Sequence, residues 1–482
     1  TNFFQRPLLQ ACRAMSLKGG PSATYLATLT REELINRVQQ LEAQVVQLRP
    51  LVSPAGVVDV SEAGEEKLQL MLPQPGKGRR RQREGRVDFN QFKQRRVALR
   101  IAYMGWAFDG SALQDNTDNT VLGRLCDGLK RVQLIESIDT CNLVSCARTD
   151  KGVSALANVV SLNIRSLLSD CNTGCIPDTG PDIGKRRTPP SSEDTEANEL
   201  DPVGPLNRVL PRELRVLAWA PVTPDFSARF ACKGREYLYH FPRSTFNIEA
   251  MRDACKRFVG EHDFRNFSKF SPDQANYCRT VMECDIEPVD YCSQASDHNQ
   301  MFAFRVRATA FLYHQIRNMF SVLALVGQGL EEPSIVDKLL DVNATPRKPE
   351  YVLADGLPLI LSKAEFDHLD WRCSADAREH LRVTLQRHWT ELTVRSCLAR
   401  LAVDHLPLTP PTLNWSHLST GLLPELRCRQ HRPLLKRQLQ ASFEEMRERA
   451  DSKRQLKQLA STGDGDAVQD EKRLRLEEAC VE

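Results

Sequence analysis

A chain of 482 residues exceeds one ordinary domain, and its 41% hydrophobic share is enough to bury a core of about 250 residues with extensions to spare. A net charge of only +3 excludes a uniformly basic nucleic-acid binder, and no window approaches the roughly 18 unbroken apolar residues of a membrane helix, so a soluble protein without a membrane partner is expected. The 15 cysteines form no CxxC pair and read as reduced thiols; Cys171 and Cys175 lack a second pair at zinc spacing, so no metal site is expected.

The first residues, "TNFFQRPLLQACRAM", carry no long apolar run ending at small residues, which argues against a secretory signal and leaves Met15 as a working start. Thr30 and Glu33 match a capping box, and Leu34, Val38, Leu41, Val45 and Leu48 recur at heptad-like spacing. They predict a short helix over 30–49, ended by Pro50 and too short for a stable isolated coiled coil. The N-terminal extension runs to 96 and holds a basic linker over 77–96. Across 77–100 ten Lys and Arg face two acids, which suits phosphate, a nuclear address or a solvated arm; the nucleus is the expected compartment, with the cytoplasm as the other.

From Val97 the texture becomes that of a folded core, expected over 97–371. "VALRIAYMG", "CNLVSCA", "LANVVSLNI", "REYLYHF", "RTVMECDIEPVDY" and "MFAFRVRATAF" read as strands. "TVLGRLCDGLKRVQLI", residues 247–259 and "LYHQIRNMFSVLALVGQGL" read as helices, and "LNRVLPRELRVLAWAPV" as a helical turn followed by a strand. Residues 166–201 are polar and turn-rich and read as a disordered insertion. This order does not repeat βαβ, so the fold class is α+β, an antiparallel sheet with helices on one side. Residues 372–482 form a charged, partly helical C-terminal extension.

Three clusters could carry chemistry. "LVSCARTDKGVSALANVVSL" sets Arg148, Asp150 and Lys151 between two apolar stretches. It is either an exposed hairpin tip or a carboxylate held among cations at a cleft, able to act as nucleophile or base. "DFSARFACKGREYLYHF" interleaves Arg229, Lys233 and Arg235 with Tyr237 and Tyr239, a pattern that suits phosphates and stacked bases or, equally, a core strand. "FLYHQIRNMF" places His314, Arg317 and Asn318 at the start of an apolar helix. A cation there needs a carboxylate, and Asp150 is a candidate.

Taken together, "ARTDKGVSA", "YMGWAFDGSALQ", "FSARF", "REYLYHF", "GEHDFRNFSKF", "FLYHQIRNM" and "ADGLPLIL" resemble, in order and spacing, the motifs of the TruA-type tRNA pseudouridine synthases over residues 97–361. The heptad helix and a late "RPLLKR" are similar to the eukaryotic branch acting at positions 38 and 39 of the anticodon stem-loop. Met104 departs from the usual Asp of the first motif, and Ala157-Asn158 from the common Gly-Gln.

The resemblance implies a two-subdomain fold with a mainly antiparallel central sheet, helices packed on it and a central active-site cleft, often in a homodimer. It implies an isomerase that turns uridine into pseudouridine on tRNA with no cofactor. Asp150 would be the key catalytic residue, Arg317 would hold it ionised and oriented, and Tyr237 would stack on the target base or help remove the C5 proton. Arg148, Lys151 and Arg229 would join Tyr237 in binding the extruded nucleotide. A non-catalytic tRNA-binding protein on this fold, and a synthase acting at other tRNA positions or on other RNAs, are the competing readings. A metal-dependent hydrolase is disfavoured by one acid standing among cations.

Overall fold

The computed structural model describes residues 87–168, 174–176, 199–289, 300–405 and 431–461. The heptad helix expected over 30–49, the basic residues 77–86 and most of the expected insertion over 166–201 lie outside them.

Strand β1 (Lys93–Tyr103) begins inside the basic run. Arg95 and Arg96 are therefore sheet residues and not part of a solvated arm. Arg95 forms a buried ion pair with Glu199 at 3.0 Å, and Arg96 donates to Ser161 Oγ at 3.0 Å and Asn163 Oδ1 at 3.1 Å. The edges of the expected insertion are also built into the fold. Ser166 ends β3 (Ser154–Ser166), and residues 174–176 run beside β1, with the Ile176 amide donating to Gln94 O at 3.0 Å.

The other strands are β2 (Val144–Ser145), β4 (Leu214–Pro221), β5 (Gly234–Pro242), β6 (Gly260–Asp263), β7 (Cys278–Pro288), β8 (Met301–Ala308) and β9 (Leu359–Glu365). They form one nine-stranded sheet in the order β4-β1-β3-β9-β5-β8-β7-β6, with β2 on β3. "CNLVSCA" thus yields only a two-residue strand, because the chain leaves the sheet to form the loop that carries Asp150.

All pairings are antiparallel except that of β3 with β9, which joins the two halves. Leu361 of β9 is opposite Ala155 of β3 on one side and Tyr237 of β5 on the other. That register brings Tyr237 level with the start of β3, two strands away, or about 10 Å at sheet spacing.

Helices α1 (Val121–Arg131) and α2 (Val203–Val209) pack in the first half, α3 (Ile248–Lys256) and α4 (Gln315–Gly327) in the second, and α5 (Ile335–Leu340) follows. Every residue of α4 except Arg317 is buried. Tyr239 stacks on Phe320 of α4 with centroids 3.9 Å apart, and both alternating tyrosines are buried in the core. On the opposite face of β8, Arg305 and Arg307 meet Glu283, Glu287 and Glu365 in a partly exposed ladder, an arrangement worth little stability per pair. The C-terminal region holds the helices α6 (Ala375–Asp404) and α7 (Phe443–Ser461). Nine described cysteines are free thiols, whereas Cys175 is disulfide-bonded, a departure from the fully reduced set expected. No helix among the described residues is long and apolar enough to cross a membrane.

Candidate active site

Asp150 lies in the loop before β3, and a set of uncharged side chains from the first half packs beneath that loop. Tyr103 Oη is 2.8 Å from Thr149 Oγ1, and the Thr149 amide donates to Ser111 Oγ at 2.7 Å. Ser111 returns two bonds to Thr149 O, from its amide at 3.0 Å and its hydroxyl at 3.2 Å. Asn158, fully buried, donates to Tyr103 Oη and Ala147 O, both at 3.2 Å, and accepts from Ser145 Oγ. Burial pushes the Tyr103 phenol up to about 12, so it remains a neutral hydrogen-bonding group.

Two glycines make the close packing possible. Gly152 turns the chain at φ +85°, where a side chain would be strained. A Cβ on Gly105 would fall 2.1 Å from Val153 O, so the first motif crosses the Asp150 loop in backbone contact.

Arg317 approaches from the second half of the sheet. Its Nη1 donates to Asp150 Oδ2 at 3.1 Å and its Nε to Ala354 O at 2.7 Å, which fixes the plane of the guanidinium. The Asp150 side chain keeps 21% of its exposure, so one side is held while the rest stays open to solvent. The buried cation and the carboxylate singled out in the sequence are thus brought together over 167 positions.

Tyr237 is buried, its ring edge-on to Phe311 with centroids 5.3 Å apart. Burial, with Tyr103, Cys146 and Asp150 nearby, pushes its phenol well above the usual tyrosine range, so it keeps its proton. Arg148, Lys151 and Arg229 are all exposed. Lys151 pairs with Asp109 at 2.8 Å, holding that carboxyl below its usual range, and Arg229 lies 5.5 Å from the ring centre of the 82% exposed Phe230.

Three residues that the sequence analysis named without giving them a site role also contribute. His314 caps α4 in the left-handed region at φ 62° and sets its Nε2 3.3 Å from Asp150 Oδ2. Burial is the main cause that pushes its pKa down to about 4, with Asp150 opposing, so near neutrality the imidazole is uncharged and the contact is not an ion pair. Its place three residues before Arg317 was the available signal. Asn158 could have been found from its departure from the family pattern. Arg235 donates twice to Cys146 O, at 2.8 and 3.1 Å, and to Thr309 O at 2.7 Å, tying the Asp150 loop to the second half; nothing in the sequence predicted that.

Among the described residues no three His, Cys, Asp or Glu side chains gather in a way that could hold a metal ion.

Residues 254–367 match the tRNA pseudouridine synthase family. A mouse protein named "tRNA pseudouridine(38/39) synthase" is 38% identical over 370 residues, which is 76% of this chain and 73% of that protein. The chain belongs to the tRNA pseudouridine synthase family. A Saccharomyces cerevisiae protein of the same name is 33% identical over 353 residues, 72% of this chain and 73% of its own. Membership makes the protein an isomerase of the TruA type, as the motifs implied. A solved Cbf5-Nop10-Gar1 complex matches over 49% of this chain and 45% of that chain at 12% identity, with a TM-score of 0.21 that supports no topological comparison.

Proposed function

We propose that this pseudouridine synthase isomerises uridines 38 and 39 of the tRNA anticodon stem-loop, with Asp150 as the reacting carboxylate. The relatives named for those positions align with most of the chain and support the choice of target. The reaction breaks the N1–C1′ bond, turns the uracil and joins C5 to C1′. A proton leaves C5 and one is gained at N1, so no electrons are exchanged with a cofactor. Asp150 either attacks C1′ or takes a proton on a glycal route, and both need one carboxylate open to the sugar.

The observation that carries this reading is the half-buried Asp150, held on one edge by Arg317 and His314 and open on the other. Arg317 orients it, Tyr237 contacts the extruded base as a neutral phenol, and Arg148, Lys151 and Arg229 meet the backbone of the flipped nucleotide. A homodimer, which the resemblance implies, belongs to the same reading, as does residence in the nucleus, with the cytoplasm as the other compartment, which the basic residues over 77–86 support.

The test is Asp150→Asn. Pseudouridine formation on purified tRNA is expected to vanish while tRNA affinity stays within about twofold, because the carboxamide keeps the shape and loses the reacting oxygen. Wild-type rates in this variant would refute the assignment.

A further inference from the structure

Lys348 is a buried charge that the reaction as described does not use. Its side chain lies beneath the surface at 8% exposure. The ammonium donates to Asn318 Oδ1 at 3.0 Å and Ser268 O at 3.2 Å, and faces the Tyr351 ring at 4.6 Å. Among the described residues no carboxylate pairs with it. Burying an ammonium against neutral acceptors is costly, and burial alone pushes its pKa down to about 7. An aliphatic residue would avoid that cost, so the ammonium must serve its acceptors.

Those acceptors belong to two family motifs. Asn318 follows Arg317 on the first turn of α4 and donates to Phe267 O at 3.0 Å. Ser268 ends the turn of "GEHDFRNFSKF", which is tied to the Lys348 segment again where Tyr351 donates to Asn266 O at 2.6 Å. The C-terminal segment closes over this joint. The Gln440 amide donates to Lys348 O and the Glu350 amide to Gln438 O, both at 2.9 Å, and Leu434 of "RPLLKR" is fully buried. The field of Lys348 also reaches His314, where it acts with Arg317 and Lys269 against protonation and Asp150 acts in favour.

We propose that Lys348 is a positioning residue for the isomerisation: its ammonium fixes the first turn of α4 through Asn318, so that Arg317 and His314 meet Asp150 in register. The proposal rests on Asp150 being the reacting group, and its test reads a different quantity. In the full chain, Lys348→Met lowers kcat by about tenfold or more and leaves KM for tRNA within about twofold. Asn318→Ala does the same, and the double variant is no slower than the slower single one, since both remove one link.

Three results would overturn it: a lower melting temperature with kcat intact, which makes Lys348 structural only; a raised KM with kcat intact, which makes it a tRNA contact; or losses that multiply in the double variant. Should Lys348→Met fail to fold, Asn318→Ala alone decides, and a normal kcat there refutes the idea. An active Asp150→Asn would displace the reacting group without producing this kcat-only pattern at Lys348.

Discussion

Asp150 and Arg317 reach each other from opposite halves of the sheet, and the two halves brace them with different chemistry. Within the first half the hydrogen-bond network under Asp150 is neutral: Tyr103, Ser111, Thr149 and Asn158 bond to one another. Around Arg317 the braces include buried or half-buried nitrogen bases, Lys348 behind Asn318 and His314 beside the carboxylate. Neutral networks fix position at short range and add little field. A cation in a low-dielectric interior, such as Arg317 beside Asp150, fixes position and also adds a field. On the proposed assignment, the first half supplies the reacting carboxylate and the second half orients it.

That division can be broken from the orienting side first. Arg317→Lys keeps the charge but cannot serve Asp150 and Ala354 O together, and kcat/KM is expected to fall by about 10²-fold; a loss under threefold would show that charge alone suffices. On the neutral side, Asn158→Ala leaves Tyr103 Oη, Ala147 O and Ser145 Oγ each short of a partner. It should cost about 1–3 kcal/mol in denaturant unfolding and slow the reaction about tenfold. Unchanged stability would mean that the loop holds itself.

The smallest effect concerns pH. His314 has a folded pKa near 4 against an ordinary 6.5, so the unfolded chain binds more protons between those values and stability falls as pH drops through that window. His314→Gln should flatten that part of the stability curve; an unaltered slope would place the titration elsewhere.

Much of this was legible in the sequence because the signals were local. Val97 onward reads as strand and helix from apolar periodicity, and the apolar flank of Arg317 called for a carboxylate that the fold supplies from Asp150. Strand β9 was not read as one: it is short and derives its role from partners 120 and more positions away, β3 and β5, which local periodicity does not register. Charge count alone assigns Arg95 and Arg96 to a charged arm, because it does not reveal that Glu199, Ser161 and Asn163 await them. Lys348 goes unmarked in the sequence for the same reason. A lone Lys or Arg in a polar stretch looks solvated until the fold covers it.

The central claim is uridine isomerisation at two adjacent positions of the anticodon stem-loop. Nucleotide-resolution mapping of pseudouridine in tRNA transcripts incubated with the purified protein tests it most directly. Pseudouridine appearing at 38 and 39, without added metal or cofactor, is the predicted result; none at those positions, or modification confined to other uridines, would contradict it.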